Sequence, residues 1–317
     1  MPSNLSLSKI QRNFDSKLDK IIGEDLKILK IIKRFVIESG GKRIRPMTHY
    51  LFCQMLGYKG NLWQEVGAVS ELIHSASLLH DDVVDNASLR RGKPTVGYQF
   101  GNKTAILSGD FLLACGIERL NSLNQPNIMH IFSRVLRDLS VSELLQMEWE
   151  KNPKITLKIY DSIIYGKTAS LFGACTESAG LLSGLDPKQC KALSEFGVRL
   201  GKLFQKKDDC LDYFYTSNES GKEFLKDFKN GLYTYPILIL KEKVGSKVKK
   251  EIDILVSKDT KSEKDCEAII SLLNAFGIEE ILTEEFKKEN VYFQKVLSQF
   301  EDSEYKNLFK SQLEKLI

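Results

Sequence analysis

The strongest constraint on the fold is a set of long segments in which apolar residues recur every three or four positions. The segment 65–85 has this spacing at Val66, Val69, Ile73, Ala76, Leu79 and Val83. The segments 103–123, 129–150, 157–182 and 189–214 share it. Such a period is typical of α-helices, and several segments are apolar around nearly the whole circumference, which predicts central, buried helices. Because β-hairpin signals are few, we predict an all-α helical bundle.

The segments between these helices are short, with one exception. Prolines such as Pro94, Pro126 and Pro187 lie between the helical segments, where they separate helices rather than kink them. The polar stretch from Asn86 to Lys103 predicts a long loop, and long loops in compact domains are often functional.

The last quarter of the chain has a different composition. From about Lys241 the helical segments are amphipathic and rich in lysine and glutamate, which predicts peripheral helices over about 241–317. No linker composition precedes them. We therefore predict a single domain over residues 1–317.

The composition excludes several classes of protein. The 46 basic and 42 acidic residues give a net charge of +4, too balanced to indicate nucleic-acid binding. No apolar run has the ~18 residues of a membrane span, and the N-terminus has no apolar signal core. The six cysteines form no C-x-x-C pair, so we predict buried free thiols and a cytoplasmic protein.

Two acidic clusters share one spacing, D-D-x-x-D, and each ends an apolar helix. The first consists of Asp81, Asp82 and Asp85, and the second of Asp208, Asp209 and Asp212. Residues four apart lie on one face of a helix, so Asp81 and Asp85 are expected to point the same way. Stacked carboxylates bind hard cations, and magnesium commonly shares its coordination shell with substrate phosphates. Two facing clusters would hold a diphosphate through several magnesium ions.

A solvated helix end is the alternative interpretation of each cluster. Aspartates at a helix C-terminus oppose the helix dipole, however, and like charges four residues apart repel each other. The repetition of the pattern favours metal binding.

Basic residues that could meet phosphates occur in four groups, although a group of this kind is often only solvated. The groups contain Lys42, Arg43 and Arg45; Arg90, Arg91 and Lys93; Lys167 with Thr168; and Lys222 with Lys226. The sequence GKT at 166–168 is not a P-loop, because that motif needs a glycine where Asp161 stands.

The order and spacing of these motifs resemble the trans-prenyl diphosphate synthases. The motifs are GGKRIRP, SLLHDDVVD, RRGKPT, the GD pair at Gly109–Asp110, GKTASLF and FQKKDDCLDY, and they cover roughly Ser39 to Pro236. The resemblance implies the class I isoprenoid synthase fold, an all-α bundle around a deep central cavity, and a homodimer.

The resemblance also implies a reaction, in which an allylic diphosphate loses its diphosphate and the double bond of isopentenyl diphosphate attacks the cation. By position, it implies several magnesium ions on Asp81, Asp82, Asp85, Asp208, Asp209 and Asp212. The implied allylic diphosphate site is Arg90, Lys167, Thr168, Gln205 and Lys222. The implied isopentenyl diphosphate site is Gly41, Lys42, Arg45, His74 and Arg91. His74 could instead be a core histidine, and Gln205 a buried hydrogen-bonding residue.

The chain departs from the family pattern in two places. Leu232 stands where the family has a lysine, and Lys226 or Lys229 could compensate. Lys206 and Lys207 precede the second cluster, where the family is apolar. They could tune diphosphate binding or face outward.

The length of the product is predicted from small residues upstream of Asp81. Short-chain members carry bulky aromatics here, whereas this chain has Ala76 and Ser77 and lacks the two-residue insertion of bacterial short-chain enzymes. We predict a long-chain, all-trans product in the octaprenyl range, grown on farnesyl or another allylic diphosphate, with peripheral membrane association for its release. Close helix packing is the alternative role of the small residues. The alternative functions are a geranylgeranyl diphosphate synthase, a terpene cyclase and a non-catalytic subunit of a heteromeric synthase.

Overall fold

The computed structural model describes residues 7–23, 26–38, 43–90, 92–214 and 224–315, and nearly all regular structure in them is helical. The all-α prediction is confirmed. The long helices are α1 (Leu7–Ile22), α2 (Lys27–Glu38), α3 (Ile44–Met55), α4 (Leu62–Val84), α6 (Asn102–Ser122), α7 (Pro126–Trp149), α9 (Ser170–Leu182), α10 (Pro187–Phe214), α13 (Ser246–Ser257), α14 (Glu263–Ala275), α15 (Ile278–Leu297) and α16 (Glu304–Glu314). The shorter ones are α5 (Val96–Phe100), α8 (Leu157–Ile164), α11 (Lys226–Lys229) and α12 (Tyr235–Lys243).

The predicted loop after Asn86 is partly ordered into regular structure, so that prediction is wrong in part. Strand β1 (Leu89–Arg90) pairs antiparallel with β2 (Lys93–Pro94), and Gly92 supplies the turn with a φ of +73°. Thr95 then caps α5, its Oγ1 accepting the Tyr98 N–H at 3.1 Å.

The chain divides into two compact units. The first comprises Met1–Arg137, Leu171–Val198 and Phe300–Lys310, and the second Asp138–Ser170, Arg199–Gln299 and Ser311–Ile317. The prediction of one domain over 1–317 stays a prediction.

Helix α4 organises the first unit and packs on α1, α3 and α6. Its buried Leu72, Ala76 and Leu79 share one apolar cluster with residues of α6 such as Leu112. The buried Glu65 adds a polar tie, because it pairs with Lys17 at 2.6 Å and Arg119 at 2.7 Å. Burial of this apolar face holds the end of α4, and with it the first aspartate cluster, in place.

Helix α12 is the buried element of the second unit and packs on α8, α13, α14 and α15. Its segment from Tyr235 to Leu240 is buried throughout. The helices that follow are amphipathic, as predicted for this region: α14, for example, buries Ile269 and Leu273.

Burial around nearly the whole circumference, predicted for several helices, is confirmed for α9, whereas α6 and α7 leave apolar residues exposed. Ile106 and Leu107 of α6, and Leu144 and Met147 of α7, are between 43% and 67% exposed. The six cysteines are free thiols, four of them buried. Among the described helices, none is long and apolar enough to cross a membrane.

Candidate active site

The first aspartate cluster lies at the C-terminus of α4. The Asp85 N–H donates to the Asp81 carbonyl at 2.8 Å, so these two residues are one turn apart, as predicted. Asp81 is half-buried and Asp85 exposed, whereas Asp82 is 3% exposed.

Arg90 is brought to this cluster by the β1–β2 hairpin. Its Nε and one terminal nitrogen both lie 2.8 Å from Oδ1 of Asp82. The arginine thus neutralises the most buried carboxylate of the cluster. Arg91 lies outside the described residues.

The GD pair gives α6 a close approach to α4. A Cβ on Gly109 would lie 2.2 Å from Nε2 of His80, so a glycine is required for the His80 ring to fit there. His80 Nε2 also lies 3.4 Å from Asp110. The pair therefore positions the helix turn that carries Asp81.

The two arginines of GGKRIRP have opposite roles. The buried Arg43 contacts Glu71 at 2.6 Å, Asp15 at 3.0 Å and the Val36 carbonyl at 2.7 Å. Its guanidinium is committed to the protein, so the grouping of Arg43 with the phosphate-binding residues is wrong.

Arg45, by contrast, keeps hydrogen-bonding capacity. Its buried Nε has no hydrogen-bond partner among the described residues, and its guanidinium lies 5.1 Å above the Phe172 ring. Burial lowers the pKa of Arg45 from its ordinary value. A buried cation of this kind fits an anionic ligand, as expected for isopentenyl diphosphate binding. The preceding Gly41 and Lys42 lie outside the described residues.

Three other predicted residues lie along α4. His74 is half-buried, and its carbonyl accepts the Ser77 hydroxyl at 2.9 Å. Ala76 is fully buried in the apolar cluster, where it serves close helix packing. Ser77 is only partly buried, so of the two small residues it is the better candidate to influence product length.

The second cluster is tied into a hydrogen-bond network. Asp209 is 3% exposed and accepts bonds from Tyr160 Oη at 2.6 Å, Gln205 Nε2 at 2.9 Å and the Tyr235 N–H at 3.2 Å. Thr168 donates in turn to Gln205 Oε1 at 2.7 Å. The structure thus brings Thr168, Gln205 and Asp209 together, in agreement with the alternative role for Gln205.

Asp212 caps the start of α11. Its two oxygens accept the N–H groups of Lys226 and Asp227, each at 2.9 Å, and its carbonyl accepts the Leu225 N–H at 3.1 Å. Leu225 has a left-handed φ of +56°, which is strained for a branched residue. Asp208 is half-buried, the least buried aspartate of the second cluster.

Asp227 belongs to this acidic group but was missed by the sequence analysis. Burial, and then the charges of Asp212, Asp209 and Asp208, raise the pKa of Asp227 well above its ordinary value. Burial likewise raises the pKa of Asp209 to about 6. No sequence period or spacing marked Asp227, because its proximity to Asp212 arises from tertiary structure and not from a helical repeat.

The GKT motif lies in a π-helical turn, Tyr165–Ala169, between α8 and α9. Lys167 pairs with Glu143 at 2.5 Å on α7. A Cβ on Gly166 would lie 2.4 Å from the Asp138 carbonyl, so only glycine allows this approach to α7. Single π-turns are frequent at functional sites, but the apolar period of the sequence continues through this one and does not reveal it.

Lys226 places a positive charge near the acidic group, where Leu232 stands in place of the family lysine. Lys226 lies close enough to Asp227 to lower the pKa of that carboxyl, which partly opposes the other shifts. Leu232 itself donates its N–H to the Asp227 carbonyl at 3.0 Å. Lys222 lies outside the described residues.

The second cluster suits a divalent cation. Carboxylate oxygens are the ligands that magnesium prefers, and a cation would offset the repulsion between neighbouring carboxylates, which adds to burial in raising the pKa values of Asp209 and Asp227. In the described part of the chain, no three His, Cys, Asp or Glu side chains converge closely enough to hold an ion. Magnesium commonly completes its coordination shell with water and substrate phosphates, so these carboxylates would supply only part of it.

Comparison with known proteins defines the class. The sequence model of the polyprenyl synthetase family matches residues 26–273, more than half of the chain. Octaprenyl diphosphate synthase of Escherichia coli is 37% identical over 217 residues, which are 68% of this chain and 67% of that protein. This chain belongs to the polyprenyl synthetase family, and it is a prenyltransferase.

Solved structures agree with that assignment. A decaprenyl diphosphate synthase from Rhodobacter capsulatus matches with a TM-score of 0.90 and 29% identity, covering 98% of this chain and 96% of that one. A polyprenyl synthase from Caulobacter crescentus, complexed with calcium and isoprenyl diphosphate, matches with a TM-score of 0.89 and 26% identity, covering 100% and 98%. The fold is the all-α class I isoprenoid synthase fold, and the family depends on divalent metal ions.

Proposed function

We propose that this prenyltransferase is a long-chain, all-trans polyprenyl diphosphate synthase. It joins isopentenyl diphosphate repeatedly to an allylic diphosphate such as farnesyl diphosphate, with a product in the octaprenyl range. In each cycle a carbon–carbon bond forms, diphosphate leaves the allylic carbon and a proton leaves the condensed product. The grouping of carboxylates at the end of α10 carries the proposal, because Asp208, Asp209 and Asp212, with Asp227 hydrogen-bonded to Asp212, suit a multivalent cation and its bound diphosphate.

The chain's own residues bind and orient the two substrates. Asp81, Asp85 and Asp208, the less buried aspartates, are proposed to hold magnesium, which when bound neutralises the diphosphate leaving group. Asp82 and Asp209 are proposed to act with them, oriented by Arg90 and Tyr160 respectively.

Basic residues are proposed to meet the phosphates directly. Arg90 and Lys167, with Lys222 from outside the described residues, are assigned to the allylic diphosphate. Arg45, with its hydrogen-bonding capacity at Nε, is assigned to isopentenyl diphosphate together with Lys42, His74 and Arg91. Each of these cations would stabilise negative charge in a site from which water is excluded.

Two further assignments extend the proposal. A homodimer is supported by the exposed Ile106, Leu107 and Ile117 on α6, which would bury apolar area against a second copy. The cytoplasmic location and the membrane association for product release stay predictions.

Product analysis tests this function. The purified protein is incubated with magnesium, farnesyl diphosphate and radiolabelled isopentenyl diphosphate, and the dephosphorylated products are chromatographed. We expect a ladder ending in one long prenol. A single twenty-carbon product would favour the geranylgeranyl alternative, and product formed without isopentenyl diphosphate would favour a cyclase. The absence of any label in product, from folded protein, would favour a non-catalytic subunit.

Ser77→Tyr tests the assignment of chain length. A bulky ring at this partly buried position is expected to shorten the final prenol by one or more five-carbon units. Ser75→Ala, a small change at a neighbouring buried position, is the matched control and should leave the ladder unchanged. An unaltered ladder in Ser77→Tyr would place the end of the product elsewhere.

A further inference from the structure

A cavity of about 450 Å³ in the second unit has no role in the assignments above. Its charged lining consists of four cations, Arg199, Lys202, Lys206 and Lys288, and two glutamates, Glu285 and Glu289. The lining charges therefore sum to +2, four positive minus two negative. An anion is the ligand that this balance favours.

Most of these charges already have partners. Arg199 donates to both oxygens of Glu289, at 2.5 Å and 2.9 Å, and Lys202 pairs with Asp161 at 2.6 Å. Glu285 accepts the Tyr235 hydroxyl at 2.5 Å. These contacts fix the walls of the cavity in a defined arrangement.

Lys206 differs from Arg199 and Lys202, the two cations of the lining that have ion-pair partners. Within the ranges that the structure describes, its ammonium has no ion-pair or hydrogen-bond partner, and it lies 4.2 Å from the centre of the Tyr235 ring. A cation–π contact satisfies only part of the hydrogen-bonding capacity of an ammonium group, which has three donors. Lys206 therefore presents unused donors beside an aromatic wall.

Of the two adjacent lysines, only Lys206 lines the cavity. The adjacent Lys207 does not line the cavity and lies 5.0 Å above the ring of Phe286 instead. Tyr235, which lines the cavity, also donates its N–H to Asp209 at 3.2 Å. Tyr235 thus contacts both places: its residue lines the cavity, and its backbone N–H binds the second aspartate cluster.

We propose that this cavity binds a small phosphate-bearing anion, with Lys206 as its central contact and Lys202 and Lys288 at its edge. A phosphate group offers several acceptor oxygens to the ammonium donors, and its charge matches that of the lining. The volume admits either inorganic phosphate or diphosphate with accompanying water. Diphosphate as the natural ligand rests on the proposed function, because that reaction releases it.

Titration calorimetry without substrates and with EDTA tests the site. Phosphate and diphosphate are titrated separately into the full chain at constant ionic strength. We expect saturable binding that Lys206→Met weakens at least about tenfold, because the ammonium donors are lost while the stem is kept. Lys206→Arg should retain binding. Whichever anion binds with the higher affinity, phosphate or diphosphate, is the ligand that the site prefers.

Matched variants separate this site from other anion sites. Lys287→Met removes the same charge from an exposed residue that pairs with Glu284 outside the cavity, and it should bind as the wild type does. Lys288→Met, at an exposed position in the lining, should weaken binding by about threefold, which keeps the test valid if Lys206→Met fails to fold.

Three outcomes would overturn the proposal. The first is wild-type affinity in both Lys206→Met and Lys288→Met, and the second is the absence of saturable binding in the wild type. The third is loss of binding in Lys167→Met but not in Lys206→Met, which would place the anion in the proposed allylic diphosphate site. None of these outcomes depends on prenyl transfer, so failure here and failure of the proposed function are distinguishable.

Discussion

The two aspartate clusters share a spacing, yet the most buried aspartate of each has different hydrogen-bond partners. At the end of α4, Asp81 is half-buried, Asp85 is exposed, and the buried Asp82 is neutralised by one arginine. In the second cluster, Asp209 is held by a tyrosine, a glutamine and a backbone N–H. The same five-residue pattern therefore gives one cluster whose carboxylates are mostly accessible and one that is built into the protein.

The largest effect is expected on catalysis, when an aspartate of the more accessible first cluster is removed. Asp81→Ala should lower kcat by about 10²-fold or more while the helical fold is retained, because a proposed metal ligand is lost at a half-buried helix end. Steady-state kinetics and circular dichroism measure the two effects. Turnover close to wild type would refute the metal-binding role.

A second comparison concerns the glycine beside each cluster. Gly166→Ala should lower the free energy of unfolding by about 3 kcal/mol, because its Cβ would meet the backbone carbonyl of Asp138. Gly109→Ala should cost about 1 kcal/mol, because the His80 side chain that it meets can move. Denaturant unfolding measures both losses. Equal losses would show that the backbone at Asp138 and the side chain of His80 yield equally to an added methyl group.

Capping by Asp212 gives a third contrast. Asp212→Ala should destabilise the protein by ~1–3 kcal/mol, because two N–H groups at the start of α11 lose their acceptor. Asp85→Ala, at an exposed position, should change stability by less than ~0.5 kcal/mol. Thermal unfolding with EDTA separates this effect from metal binding. A larger loss in Asp85→Ala would contradict the description of the second cluster as the structural one.

The last expected effect is a pH dependence of stability that arises in the second, buried cluster. An unfolded aspartate ionises at its ordinary value of 3.8, whereas the pKa of the folded Asp209 is raised to about 6. Between these values the folded state holds a proton that the unfolded state has lost, so stability should fall as pH rises from about 4 to about 6. Melting temperatures with EDTA, compared between wild type and Asp209→Asn, measure this slope. A steeper fall in the variant would contradict the assignment.

The helices were predictable because their apolar period follows from which faces are buried. The range 65–85 predicted α4, and 189–214 predicted α10, each to within a few residues. The contacts of Asp209 were not predictable, because Tyr160 is 49 residues away and Tyr235 is 26 residues away. Local spacing carries no information about such partners.

Arg43 and Arg45, two positions apart, also show that local sequence does not reveal which contacts a side chain makes. Arg43 has a left-handed φ of +48° immediately before α3, which directs its side chain to Glu71 and Asp15. Arg45, inside the helix, lies over Phe172 instead. The sequence GGKRIRP gives two similar arginines, and only the backbone conformation separates their roles.

The π-turn at Tyr165–Ala169 has an evolutionary consequence. It holds one residue more than an α-helical turn, which is what an inserted residue leaves behind when the helices on either side keep their packing. Deleting one residue there would restore an α-helical turn without changing which faces of the flanking helices are buried. Relatives that differ by one residue in this segment can therefore conserve both helices, and a gap placed within it would mark homologous structure rather than an alignment error.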